Sequence, residues 1–148
     1  MTDELRVHLH FAMRGAFPLR LLDLLFCTET VRYVEYGYLT PLDLLLGSPE
    51  RRAAAFAQRV RTDGASEAVE SAERVEVQSY DAIDGVDVSD GGRLTRPRVV
   101  VRETDGSETA VRVHGEFDAE ALTSALDGTV AGHGVTVRRT DGTGIGPL

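Results

Sequence analysis

Lysine, asparagine and tryptophan are absent from these 148 residues, isoleucine occurs only at Ile83 and Ile145, and cysteine only at Cys27. A lone cysteine excludes an internal disulfide and any cysteine-cluster metal site. No apolar stretch approaches the roughly 20 residues that span a bilayer, so no transmembrane segment is expected. The opening MTDELRVHLHF has no basic segment ahead of an apolar run and does not read as a secretory signal. A cytoplasmic location is the expectation.

What is present is strongly acidic. Aspartate and glutamate total 24 against 16 basic residues, all of them arginine, for a net charge of −8. Such a surface repels phosphate backbones and anionic head groups, so nucleic acid and anionic membranes are not expected partners. The lysine-free, Asp- and Glu-rich composition resembles that of proteins from salt-loving archaea with GC-rich genomes; a moderately acidic protein of a GC-rich bacterium is the alternative. The hydrophobic share of 42% and charged share of 27% are those of one ordinary globular domain.

Along the chain, Leu5, Val7, Leu9, Phe11 and Met13 alternate with Arg6, His8, His10 and Ala12. That period of two predicts a half-buried strand with the first set inward, ended by Gly15. Leu19 to Phe26 reads either as a buried strand or as a short helix begun by Pro18, and Val31 to Tyr38 as a second strand. TPLDLLLG (40–47) predicts a turn or two of helix, and SPERRAAAFAQRVR (48–61) a longer one with Ser48 as cap and Pro49 at its first position. Residues 65–73 read as a weak helix or a connection. Strands follow at RVEVQSY, AIDGVDV, RPRVVVRET and ETAVRVHG, with turns at Asp90-Gly91 and Asp105-Gly106. Gly85 resets the alternation between Ile83 and Val86, which predicts a bulge. Asp118 caps a helix to Leu126 that presents Phe117, Ala121, Leu122, Ala125 and Leu126 on one face, and GVTVRR is a last strand.

In this order, TETVRYVEY (Thr28 to Tyr36), Tyr80-x-x-Ile83-x-x-Val86, the basic strand Arg96 to Arg102, the Asp105-Gly106 hairpin and the Asp118 to Leu126 helix resemble the bacterial and archaeal pleckstrin-homology-like (PH-like, GRAM-like) families. The resemblance implies an α+β fold: an antiparallel, β-rich sheet or barrel of about seven strands with a C-terminal helix. Here it forms a single domain over 1–139, with an inserted helical segment at 48–73 and a flexible tail at 140–148. It also implies a non-catalytic binding or scaffolding module, since such domains mostly bind lipids, peptides or proteins. No cofactor is implied.

Three groups of residues carry chemistry. His8 and His10 share a strand face, as metal ligands do, and His114 is the candidate third ligand; these three would also serve the alternative, a small metal-dependent or hydrolytic enzyme. Arg96, Arg98 and Arg102 share parity on one strand and form a candidate anion-binding face. Cys27 lacks any Cys–His signature and reads as a buried small hydrophobe. Ten leucines between positions 16 and 46 exceed what one sheet face consumes. The partner expectation is therefore an unidentified protein or self-association through 16–46, with a homodimer as its simplest form; packing under the 48–62 helix is the alternative.

Overall fold

The leucine-rich run after position 18 forms a strand because both of its faces are covered. Leu22, Leu24 and Phe26 join a cluster with Leu126 and Val130 of the C-terminal helix, while Leu25 and Cys27 pack with Phe56 of the inserted helix. A strand buried on both sides loses its polar alternation, which is why the sequence there does not distinguish strand from helix.

The computed structural model describes residues 3–15, 19–39, 48–70, 72, 74–91, 96–114 and 117–140. The elements in chain order are β1 (Leu5–Arg14), β2 (Leu19–Cys27), β3 (Thr30–Leu39), α1 (Ser48–Asp63), α2 (Ala65–Glu70), β4 (Arg74–Ser79), β5 (Ile83–Ser89), β6 (Arg98–Glu103), β7 (Glu108–Val113), α3 (Ala119–Val130) and β8 (Thr136–Thr140). They make one eight-stranded sheet in the order β4-β3-β2-β1-β7-β6-β5-β8. Neighbours are antiparallel except β5 and β8, which run parallel. The fold is thus α+β as expected, with eight strands rather than about seven; the addition is β8, which follows α3. No helix among the described residues is long and apolar enough to cross a membrane.

Side chains from both ends of the sheet meet on its inner face. Phe26 and Tyr33 share a cluster with Val86, Val99 and Val111, and α3 closes it with Leu126 and Val130. Asp118 caps α3, its carboxylate accepting the Ala121 N–H at 3.0 Å. The helix buries Ala119, Leu126 and Val130. Ala121 and Ala125, expected on that face, are exposed. On the outer face, α1 lies across β1 to β3 with Ala53, Phe56 and Ala57 buried.

Strand β1 departs from strict alternation. Leu9 pairs with Leu24 and the next pair is Ala12 with Leu22, so His10 and Phe11 together oppose Asp23. Phe11 takes a positive φ of 59°, an uncommon conformation for a residue with a side chain. The bulge sends Ala12 inward, and Phe11 and Met13 belong to a small outer-face cluster with Leu21 and Tyr36 instead of the inner core. The bulge expected near Gly85 is present, between Ile83 and Gly85 opposite β6.

Of the ten leucines, Leu21, Leu22, Leu24 and Leu25 are completely buried within the chain. The side chains of Leu19 and Leu39, and the whole of the helical turn expected at 40–47, lie outside the described residues. So does the tail beyond Thr140.

Candidate functional site

Asp23 interrupts an otherwise apolar strand, and it is fully buried. A buried carboxylate must be surrounded by donors, and two irregularities in the neighbouring strands supply them. On one side, the β1 bulge turns the Phe11 N–H toward the carboxylate, donating to Oδ1 at 2.8 Å. On the other, β3 carries its own extra residue: Leu21 pairs with Gly37 and Leu22 with Glu35, leaving Tyr36 unpaired in the ladder. The Tyr36 hydroxyl donates to the same Oδ1 at 2.9 Å. Its ring stacks on Phe56 of α1 at 5.2 Å between centroids.

The other oxygen, Oδ2, faces two imidazoles. His8 Nε2 lies 2.5 Å from it and His10 Nδ1 2.9 Å. The rings meet edge to face at 5.7 Å, and the side chains keep 22% and 37% of their surface exposed, so solvent reaches the group from the imidazole side. Burial pushes the Asp23 carboxyl up, but hydrogen bonds and charge from His10 and His8 outweigh it and hold the group below the usual carboxylate range. Burial and the adjacent Asp23 charge push the Tyr36 phenol well up, so it stays a donor. Beside this group a half-open cleft of about 210 Å³ is lined by Tyr36, Arg52, Ala55, Phe56, Arg59 and Ala72.

The expected pairing of His8 with His10 is therefore present, but the third group is Asp23 and not His114. His114 follows β7, its ring 5.7 Å from that of Phe11. Burial, then Arg96 and Arg112, push its pKa down to about 4, so it stays neutral at ordinary pH. His133 lies apart, against the Thr28 carbonyl and the Tyr80 ring. Cys27 is buried and burial pushes its thiol up, as befits a packed hydrophobe.

The arginine face also differs from expectation. Arg102 forks onto Asp87, Nε to Oδ2 at 2.9 Å and Nη2 to Oδ1 at 3.3 Å, and reaches Asp84 at 3.2 Å. It is neutralised where it stands and leaves the anion-binding set. Arg98 remains, and directly opposite it on β7 is Arg112, which donates to the Gly15 carbonyl at 2.7 Å. Among the described residues Arg96 and Arg98 make no ion pair. Arg112 is the member that strand parity within one segment does not reveal, because it comes from the next strand of the hairpin.

No family model and no curated protein matches this chain. Among solved structures, the hSac2 domain from the human phosphoinositide phosphatase Sac2 is similar, with a TM-score of 0.56 over 99% of this chain and 81% of that one, at 7% identity. At that identity the likeness concerns the fold alone.

Proposed function

We propose that the chain is a non-catalytic binding module of PH-like fold, probed through the outer face of β6 and β7, where it docks an acidic segment of a partner protein. The observation that carries this reading is the Arg98–Arg112 pair. Like charges directly opposite one another across a ladder are unfavourable, and here no carboxylate among the described residues answers Arg98. A carboxylate-bearing segment laid across the pair converts that repulsion into charge-assisted hydrogen bonds. Arg96, exposed two residues before that strand begins, extends the patch.

The net charge of −8 favours a short segment over a membrane. An anionic bilayer presents a plane of charge that meets the whole acidic surface, whereas a short segment senses only what lies within a Debye length, about 8 Å in physiological salt. Seven antiparallel strands followed by a helix agree with the PH-like resemblance. The enzyme alternative, as drawn on His8, His10 and His114, loses its third member, because His114 does not join the group that His8 and His10 form with Asp23.

The test is titration of a fluorescein-labelled hexaglutamate peptide against the full chain at low ionic strength. Arg98→Ala and Arg112→Ala should each weaken binding about tenfold, the loss of a charge-assisted hydrogen bond of about 1.5 kcal/mol. Arg61→Ala, on the exposed side of α1, should not. The similar domain comes from a phosphoinositide phosphatase, so vesicles carrying phosphoinositide form the second arm. Vesicle binding without peptide binding, or peptide binding indifferent to Arg98 and Arg112, overturns the proposal.

A further inference from the structure

We infer that His8, His10 and Asp23 form a binding site for one divalent transition-metal ion, with Tyr36 and the Phe11 amide as the groups that orient the carboxylate. The inference is independent of the arginine face.

Convergence is the first argument. Asp23 Oδ2 lies 2.5 Å from His8 Nε2 and 2.9 Å from His10 Nδ1, and the three atoms all fall within 4.8 Å of one another. Ligand atoms bonded to one metal at about 2.0–2.2 Å sit about 3 Å apart on a face of its coordination shell. The side chains therefore stand close to metal-binding separations, and an ion replaces the protons now lying between nitrogen and oxygen.

The division of labour on Asp23 is the second. A carboxylate that merely needed satisfying would spread its donors in any combination. Here the main-chain amide and the phenol both take Oδ1, leaving Oδ2 to the imidazoles alone. Outer hydrogen bonds that fix one oxygen and present the other are how proteins aim a ligating carboxylate.

The cost of the arrangement is the third. It requires a bulge on each strand flanking β2, one of them with Phe11 at φ 59°. Bulges re-aim side chains beside functional sites, and strain of this kind persists where surrounding structure enforces it. A plain apolar pairing at this point would need neither bulge.

Two imidazoles and one carboxylate suit zinc, iron, cobalt or nickel and are a poor set for calcium or magnesium, which take oxygen ligands. Three protein ligands leave positions open on the side of the exposed imidazoles. The site is thus of the open kind, accessible to water or an exogenous ligand, in contrast to a closed four-ligand structural site.

The experiment uses the full chain stripped with EDTA and titrated with Co²⁺, then Zn²⁺. One equivalent of Co²⁺ should give visible d–d absorption that Zn²⁺ displaces, and nitrogen NMR should show shifts at His8 Nε2 and His10 Nδ1. Tyr36→Phe keeps the ring on Phe56 and should lower affinity by about 10–100-fold. The double variant His8→Ala/His10→Ala should abolish uptake, while His133→Ala should leave it unchanged; circular dichroism confirms that each variant is folded. A wild-type chain that takes up no metal at submillimolar Co²⁺ or Zn²⁺, or a folded double variant that still does, overturns the inference.

Discussion

Replacing Asp23 by alanine tests whether the carboxylate organises the junction of β1, β2 and β3. Truncation orphans the Phe11 N–H and the Tyr36 hydroxyl, which now donate at 2.8 and 2.9 Å. A buried donor left unsatisfied costs about 1–3 kcal/mol. The imidazoles add little, because they keep 22% and 37% of their surface and can turn to water. The expected loss is therefore about 2–5 kcal/mol, a large part of the roughly 5–15 kcal/mol that stabilises a typical domain. At about 2–4 °C per kcal/mol for a chain of this size, the melting temperature should fall by roughly 5–20 °C. Asp23→Asn retains Oδ1 for both donors and presents an amide N–H₂ to imidazole nitrogens that can switch tautomer, so it should cost about 1 kcal/mol. Urea unfolding in metal-free buffer, followed by circular dichroism, measures both variants. An alanine variant that loses under about 1 kcal/mol, or an asparagine variant as damaged as the alanine one, would refute the reasoning.

Two further outcomes follow from local geometry. A Cβ added at Gly85 would collide with Arg102 Nη2 and lie 3.0 Å from the Thr136 carbonyl oxygen, so Gly85→Ala should displace the guanidinium from Asp87 and Asp84. The cost should be about 1–2 kcal/mol by urea denaturation, and if Arg102→Ala leaves the Gly85→Ala penalty untouched the cause lies elsewhere. His114, whose pKa is lowered to about 4 by burial and by Arg96 and Arg112, contributes stability that is present above its unfolded value of about 6.5 and is lost as pH falls through 4. His114→Gln should therefore flatten the fall in melting temperature between those limits, and an unchanged pH profile would place the effect in other groups.

The strands were legible where one face met water. Alternation and turn residues mark β4 to β7, and the Asp118 cap marks the start of α3. They were not legible where both faces are covered, as in β2, because burial on two sides erases the polar half of the pattern. The candidate metal group was visible only in part. His8 and His10 stand two apart on a strand and advertise a shared face, but Asp23 lies in another strand, and register alone brings it between them. Its signal was an aspartate inside Leu21 to Phe26: a charge placed where every neighbour is buried demands partners. The bulges left no such mark, since Phe11 continues the apparent alternation and its positive φ depends on the pairing with β2. Parity was reliable within β6, placing Val99 and Val101 inward and Arg98 and Arg102 outward. It was silent on which arginine already had a partner, because Asp87 belongs to β5.

Salt separates two electrostatic contributions that oppose each other. Several ion pairs among the described residues are attractive and partly exposed, such as Arg102 and Arg138 on Asp87, and Arg139 on Asp90. Exposed pairs of this kind contribute little and weaken with added salt. Against them stands the self-repulsion of a chain with net charge −8, spread over exposed carboxylates such as Glu67, Glu70, Asp81, Glu120 and Asp127. Shrinking the Debye length from about 10 Å at 0.1 M to about 3 Å at 1 M removes the many long-range repulsions almost entirely, whereas contacts near 3 Å lose only part of their attraction. Under the proposal of a brine-adapted surface, relief of repulsion therefore wins, and the melting temperature should climb steeply as KCl rises from low to molar concentration. Potassium chloride is the appropriate salt because sulfate or phosphate would also strengthen apolar burial and raise the melting temperature of any protein. A melting temperature that stays flat, or falls, across that range means that the local pairs outweigh the net charge, and the brine-adapted reading of the composition fails.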